Sequence, residues 1–206
     1  MERMRKPRSE MIAETRAKLI DAARKAFVEK GYAEASMDDF TAEAGLTRGA
    51  LYHHFGDKKG LLLAVIVEID AEMSERLAAA ADMSASRWQR FVDQNVNYLN
   101  MALEPEIQRI VLCDGPAVLG NPSAWPTALN CIEVISSGIR ELQEEGVVRE
   151  MDAEAAARLI TGASTFAAQW IANAPDPAAA AGKAVEAFKM LLDGLLLDGA
   201  APGSAC

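Results

Sequence analysis

Apolar side chains return along this chain at steps of three and four residues, the period of helices with one buried face, and predict an all-α protein of about nine helices. The first run, Ser9 to Lys30, carries Ile12, Leu19, Ile20, Ala23, Phe27 and Val28 on one face and closes at Gly31. Between Ser36 and Leu63, three helical patterns follow one another with punctuation too tight for ordinary loops. Ser36 followed by Asp39 suits a capping box and starts a helix near Met37, with Met37, Phe40 and Ala44 on its buried face. Gly45 lets the chain reverse, Thr47 caps a second short helix from Arg48 to Phe55, Gly56 stops it, and Asp57 caps a long third one. The stripe of that long helix is Leu61, Leu62, Val65, Ile66, Ile69, Met73 and Leu77. Two short helices bury little surface by themselves, so Phe27 is expected to pack against Phe40, Leu51 and Phe55, with Tyr32 on the same core.

After an alanine-rich break at Ala78 to Ser84, a helix from Ser86 to Leu103 places Trp88, Phe91, Val92, Asn95, Leu99 and Ala102 together. Pro105 opens a short helix to Cys113, and Asp114-Gly115-Pro116 with Gly120-Asn121-Pro122 predict a broken loop. The next helix is expected over Ser123 to Glu145, with Trp125, Leu129, Ile132, Ile135, Ile139 and Leu142 as its stripe. Met151 to Ala174 and Pro177 to Leu197 form the last two helices, rich in small residues and apolar on more than one face. A helix apolar on two sides is buried on two sides, and the second cover is most economically another copy of the chain. That predicts a homodimer with Leu159, Ala163, Ala167, Ala184, Phe188 and Leu192 at the interface. The chain divides into residues 1–60, a helical body over 61–198, and a tail over 199–206 expected to be disordered.

Half of the 206 residues are apolar, ample for a core, and the net charge is −9. The charge is unevenly spread: residues 1–60 hold 12 Lys and Arg against 10 Asp and Glu, whereas residues 61–206 hold 9 against 20. An acidic body would be held away from a polyanion while the N-terminal unit faces it. Met1 to Arg8 is basic and contains Pro7, and reads either as a disordered end or as an arm that adds phosphate affinity. Cys113, Cys131 and Cys206 have no CxxC spacing, so neither a metal site nor a disulfide framework is expected; free thiols suit a reducing cytoplasm. The longest apolar run, Leu61 to Val67, falls short of the roughly 20 residues a membrane span requires, which predicts a soluble, cytoplasmic protein without a membrane partner.

The second short helix has an unusual outer face. Arg48, Gly49, Tyr52, His53 and His54 place donors, rings and one small residue on barely two turns, a surface suited to entering a major groove. Lys58 and Lys59 sit at a helix N-terminus, where the dipole disfavours them, and a phosphate backbone is the evident reason.

Taken together, Gly45, then Leu46-Thr47-Arg48-Gly49, then Leu51-Tyr52-His53-His54-Phe55, then Asp57-Lys58 with Leu61-Leu62, resemble the DNA-binding signature of the TetR family of transcriptional regulators. The likeness is specific over residues 12 to 64; beyond them it extends only to helix number and length. It implies a helix-turn-helix that binds a double-stranded DNA operator through Ser36, Thr47, Arg48, Gly49, Tyr52, His53, His54 and Lys58. It further implies a repressor released by a small, largely apolar effector, with no cofactor, metal or catalytic residue. The candidate effector contacts are Trp88, Phe91, Asn95, Tyr98, Asp114, Trp125, Leu129, Phe166 and Trp170; such rings and amides are more often core than pocket, and an acid like Asp114 is more often a solvated turn. A helical enzyme would need a nucleophile and base away from the histidines of the recognition helix, and a protein-interaction adaptor would leave that helix unexplained.

Overall fold

The computed structural model describes residues 7–197. Among them the expected periodicity becomes nine α-helices joined by one π-helical segment and one 3-10 turn. The N-terminal unit is α1 (Arg8–Glu34), α2 (Met37–Ala44) and α3 (Arg48–Phe55), and α4 (Lys58–Ala79) leads from it into the body. There follow α5 (Arg87–Met101), a π-helix (Ile107–Asp114) that runs straight into α6 (Gly115–Leu119), then α7 (Ala128–Glu144), α8 (Ala153–Asn173) and α9 (Pro177–Asp193). The basic residues before Pro7 and the expected tail from Gly199 lie outside the described residues. Among the described residues no helix is long and apolar enough to cross a membrane.

Short polar side chains set the helix starts. The Asp39 N–H donates to Ser36 Oγ and the Ser36 N–H donates back to Asp39 Oδ2, each at 3.1 Å, so two otherwise orphaned donors are satisfied reciprocally. Thr47 and Asp57 accept from the N–H groups of Ala50 and Gly60 at 3.3 and 2.7 Å. Ser86, Asp152 and Asp176 cap α5, α8 and α9 in the same way. Between α2 and α3, Gly45 adopts φ 64°, a left-handed conformation that turns the chain within three residues. Phe27, Phe40 and Leu51 are fully buried, with Phe27 edge-on to Phe40 at 5.2 Å and Tyr32 5.7 Å from Phe27. Phe55 sits half-buried at the rim, with the Arg16 guanidinium 5.0 Å from its ring centre.

Four expected boundaries differ from those observed. Helix α1 continues past Gly31 to Glu34 across a kink, where Gly31 takes φ 76°, ψ 168°. Asp114-Gly115-Pro116 is helical rather than a loop, because Pro116 lies in the first turn of α6, where its missing N–H costs nothing. Helix α7 starts at Ala128, not Ser123: Pro126 biases Trp125 to extended backbone (φ −76°, ψ 152°), which takes Trp125 off the helical stripe. Helix α9 ends at Asp193 rather than Leu197, because Leu196 forms an isolated antiparallel bridge with Val148 and the Leu197 N–H donates to the Val147 carbonyl at 3.1 Å.

The N-terminal unit is tied to the body at two places on α1. Arg24 spans two carboxylates: Nε and Nη2 donate to Glu106 at 2.6 and 2.7 Å, while Nη1 and Nη2 donate to Glu72 of α4 at 2.6 and 2.7 Å. Farther along, the Tyr32 N–H donates to Asp114 Oδ2 at 2.8 Å, and Arg109 Nη2 donates to the Lys30 carbonyl at 3.3 Å. Gly31 is required by its positive φ; a Cβ there would also lie 1.8 Å from Arg109 Nη2, so the guanidinium would have to swing aside.

The Arg24 clamp makes a testable contribution. Its hydrogen bonds hold the Glu72 carboxyl below its ordinary value of 4.5. A carboxyl that binds its proton more weakly folded than unfolded contributes stability that is complete above its unfolded pKa and is lost as pH falls through the folded one. Arg24→Gln is expected to cost about 1 kcal/mol, or about 2–4 °C in Tm, at neutral pH. That difference should shrink as the pH drops below 4.5; a thermal melt in which it grows in acid contradicts the assignment.

Candidate nucleic-acid interface and internal cavity

Helix α3 is anchored by Leu51, fully buried, and turns Arg48, Gly49, Tyr52 and His53 to solvent, with Tyr52 54% exposed. Gly49 has only Thr47 Oγ1 within 4 Å of where a Cβ would stand, which leaves its backbone open to close approach. The His53 and His54 rings lie 5.5 Å apart, His54 being half-buried. Arg48 is not free: its Nε and Nη2 both donate to the carboxylate of Asp38 on α2. This hydrogen-bonded pairing raises the Arg48 pKa and lowers that of Asp38. Both partners are exposed, so water screens the pair and another acceptor can replace Asp38.

Of the expected DNA contacts, Ser36 and Thr47 spend their side-chain oxygens as acceptors on the caps of α2 and α3. Lys58 is placed differently from its expected outward orientation. Its Nζ donates to the Ala33 carbonyl at 3.3 Å and lies 4.3 Å from the Tyr32 ring centre, and burial pushes its pKa down. The C-terminal end of α1 therefore offsets the unfavourable dipole at the start of α4. The neighbouring Lys59, expected with Lys58 beside a phosphate backbone, is exposed.

The body holds a partly open cavity of about 610 Å³ lined by α4, α5, the π-helix, α7, α8 and the segment from Asn121 to Thr127. Its size suits a small organic molecule. Asn95, Tyr98, Trp125 and Phe166 line it, as expected of effector contacts. The other five candidates do not. Trp88 and Phe91 are buried and stack on each other at 5.9 Å within the core. Leu129 and Trp170 are 66% and 46% exposed on outer surfaces. Asp114, read from sequence as a pocket group or a solvated turn, is instead the acceptor for Tyr32 and lies 3.4 Å from Arg109 Nε. Asn95 serves its own helix as well, donating through Nδ2 to the Phe91 carbonyl at 2.8 Å.

Sequence reasoning missed Asp70, Thr127, Cys131, Thr161 and Thr165 in the cavity wall. Asp70 lies one residue beyond the buried Ile69 on α4 and shares a face with the exposed Ser74 and the half-buried Leu77, so the apolar stripe alone gave little signal for it. Burial raises its pKa, and a hydrogen bond from Thr127 opposes the shift. Burial, followed by the charge of Asp70, pushes Tyr98 up to about 12. Cys131 is raised for the same two reasons in the same order.

The expected dimer residues divide between two sides. Leu159 is 76% exposed and shares the outer face of α8 with the half-buried Ala163 and Ala167, and with Phe166 and Trp170, 73% and 46% exposed. Ala184, Phe188 and Leu192, by contrast, are buried in the protein's own core, and the outward side of α9 carries Met190 and Leu191 instead. Apolar residues on both sides of α9 do not reveal, from periodicity alone, which side meets the chain's own core.

Two family models match the chain: residues 19–65 fit the model described as bacterial regulatory proteins, tetR family, and residues 88–195 fit the tetracyclin repressor-like C-terminal domain. The crystal structure of a TetR-family transcriptional regulator from Pectobacterium atrosepticum is 53% identical, with a TM-score of 0.84, over 93% of this chain and 98% of that one. The HTH-type transcriptional repressor AcnR of Corynebacterium efficiens is 32% identical over 90 residues, 44% of this chain and 48% of AcnR. The chain thus spans about half the length of the first curated relatives it matches. The transposon Tn10 TetC protein of Escherichia coli is 27% identical over 149 residues, 70% of this chain and 73% of TetC. With matched models in both its N-terminal unit and its body, and a structural relative aligned over nearly its whole length, the chain belongs to the tetR family of bacterial regulatory proteins.

Proposed function

We propose that this protein is a DNA-binding transcriptional repressor that acts as a homodimer on a pseudo-palindromic operator and is released when a small effector fills the cavity. The observation that carries the reading is α3, held by Leu51 and presenting Arg48, Gly49, Tyr52 and His53 to solvent on a helix short enough to enter a major groove. Arg48 exchanges Asp38 for a base edge, while Tyr52, His54 and Lys58 meet phosphates, Lys58 by leaving the Ala33 carbonyl. The apolar outer faces of α8 and α9 cover those of a second copy, which sets the two α3 helices about 34–36 Å apart in successive grooves.

The cavity and the N-terminal unit share two walls. Helix α4 begins at Lys58 and contributes Asp70, Ser74 and Leu77 to the cavity. The π-helix contributes Val111 and Leu112 to the cavity, while Arg109 and Asp114 grip Gly31, Lys30 and Tyr32. A guest that shifts either wall moves the end of α1, on which Lys58 rests, and changes the spacing of the paired recognition helices. The effector acts only through its preference for the non-binding arrangement, on a scale of about 1–3 kcal/mol.

Two outcomes test the reading. Arg48→Ala should weaken operator binding about ten- to a hundredfold and relax preference at one base pair, whereas Lys58→Ala should weaken binding to all sequences and reduce the salt slope by about one. Mobility shifts in which both variants lose specificity alike contradict those roles. Leu159→Arg combined with Leu191→Arg should give a folded monomer in sedimentation that no longer binds the operator, since both side chains are exposed in the single chain. A wild-type protein that sediments as a monomer at micromolar concentration removes the dimer.

A further inference from the structure

The polar atoms of the cavity are unevenly supplied with partners. Asp70 accepts from the Thr127 hydroxyl, and among the described residues no ion pair is formed by its carboxylate. The titratable groups that feel its charge, Tyr98 and Cys131, are neutral, their pKa values raised by burial and by Asp70 itself. The one guanidinium in the wall, Arg158, is engaged elsewhere: its Nε and Nη2 donate to Glu154 at 3.0 and 2.7 Å. Two further wall atoms, Trp125 Nε1 and Thr161 Oγ1, are buried with no hydrogen-bond partner among the described residues. Trp125 is 7% exposed, and its Nε1–H can only donate.

A half-buried carboxylate without a cation and an unmet donor in the same cavity wall are both costly, and a ligand that supplies the missing partners recovers part of that cost. Much of the remaining wall is apolar or aromatic, with Leu77, Val111, Leu112, Ile132 and Ile135 beside the Tyr98 and Trp125 rings, and its other polar members, among them Gln94, Asn95 and Thr165, carry no charge. An anionic guest would meet the charge of Asp70 and would have to draw Arg158 away from Glu154 to find a cation. A neutral hydrocarbon would leave both Asp70 and Trp125 as they are.

We propose that the cavity selects a cationic amphiphile, an apolar molecule bearing a protonated amine that pairs with the Asp70 carboxylate. An oxygen on the same molecule accepts from Trp125 Nε1. This assignment rests on the cavity being the effector site. Aromatic walls around the apolar body are compatible with a cation as well as with hydrocarbon.

A series matched in alkyl chain separates charge from hydrophobicity: decylammonium, decanol and decanoate, each titrated into the full-length protein by calorimetry below its micelle concentration. Decylammonium should bind about tenfold or more tightly than the other two, the ratio that one charge-assisted hydrogen bond supplies. In Asp70→Asn that preference should vanish while decanol affinity is unchanged, which a general loss of folding would not produce. Decanol or decanoate binding as tightly as decylammonium to the wild type, or a preference that survives in Asp70→Asn, overturns the charge assignment and leaves the cavity as a ligand site. No binding by any of the three overturns both the assignment and the effector reading of the cavity. Decylammonium that binds through Asp70 but does not displace operator DNA upholds the pairing and removes the effector reading alone.

Discussion

The N–H of Tyr32 ends on the carboxylate of Asp114, and beside that contact the Arg109 guanidinium lies against Gly31, whose φ of 76° favours glycine. Both groups on the body side belong to the π-helix, whose other face is part of the cavity wall. The constraint therefore fixes three things together. It holds the kink that ends the straight part of α1, it sets the chain on course for the Ser36 cap of α2, and it positions the Tyr32 ring on which Lys58 opens α4. Arg24, about two turns of α1 earlier, repeats the tie through Glu72 and Glu106. Through these contacts the unit carrying α3 is oriented by the same segment that a guest would touch.

The N-terminal unit was legible nearly residue by residue because its signals are local. Ser36, Thr47 and Asp57 each cap within three residues, and Gly45 reverses the chain between helices only two turns long. The body was legible in helix number and general burial but not in detail, and each miss has a physical reason. Pro126 acts on the residue before it, so Trp125 left its helix and became cavity wall. Pro116 was read as a breaker, although in the first turn of a helix proline is tolerated. Asp114 was read from its loop-like neighbours, whereas its partner Tyr32 lies 82 positions away, beyond the reach of any local pattern. Ala184, Phe188 and Leu192 have the right periodicity for a buried face and the wrong one of two such faces for a dimer.

The cavity and the recognition surface show opposite uses of charge. Around α3, Arg48 and Asp38 are paired in water, where exchange with a nucleic-acid acceptor costs little. Inside the body, Asp70 is half-buried beside the neutral Tyr98 and Cys131, where water screens its charge less than it screens the Arg48 pair. A weak exposed pair suits a contact that must be made and broken on DNA, and under the proposed assignment the half-buried carboxylate tells apart molecules that share an apolar body.

The central claim is that the grip of the π-helix on the end of α1 sets the orientation in which α3 meets DNA. It is tested most directly by the operator affinity of Asp114→Ala at fixed salt, with sedimentation and a thermal melt confirming a folded dimer. The carboxylate touches no residue of α3, so a phosphate- or base-contact role does not enter. Loss of its charge-assisted bond to Tyr32 should weaken operator binding about tenfold while leaving the oligomeric state unchanged. A folded, dimeric Asp114→Ala protein that binds the operator as tightly as the wild type would contradict the account.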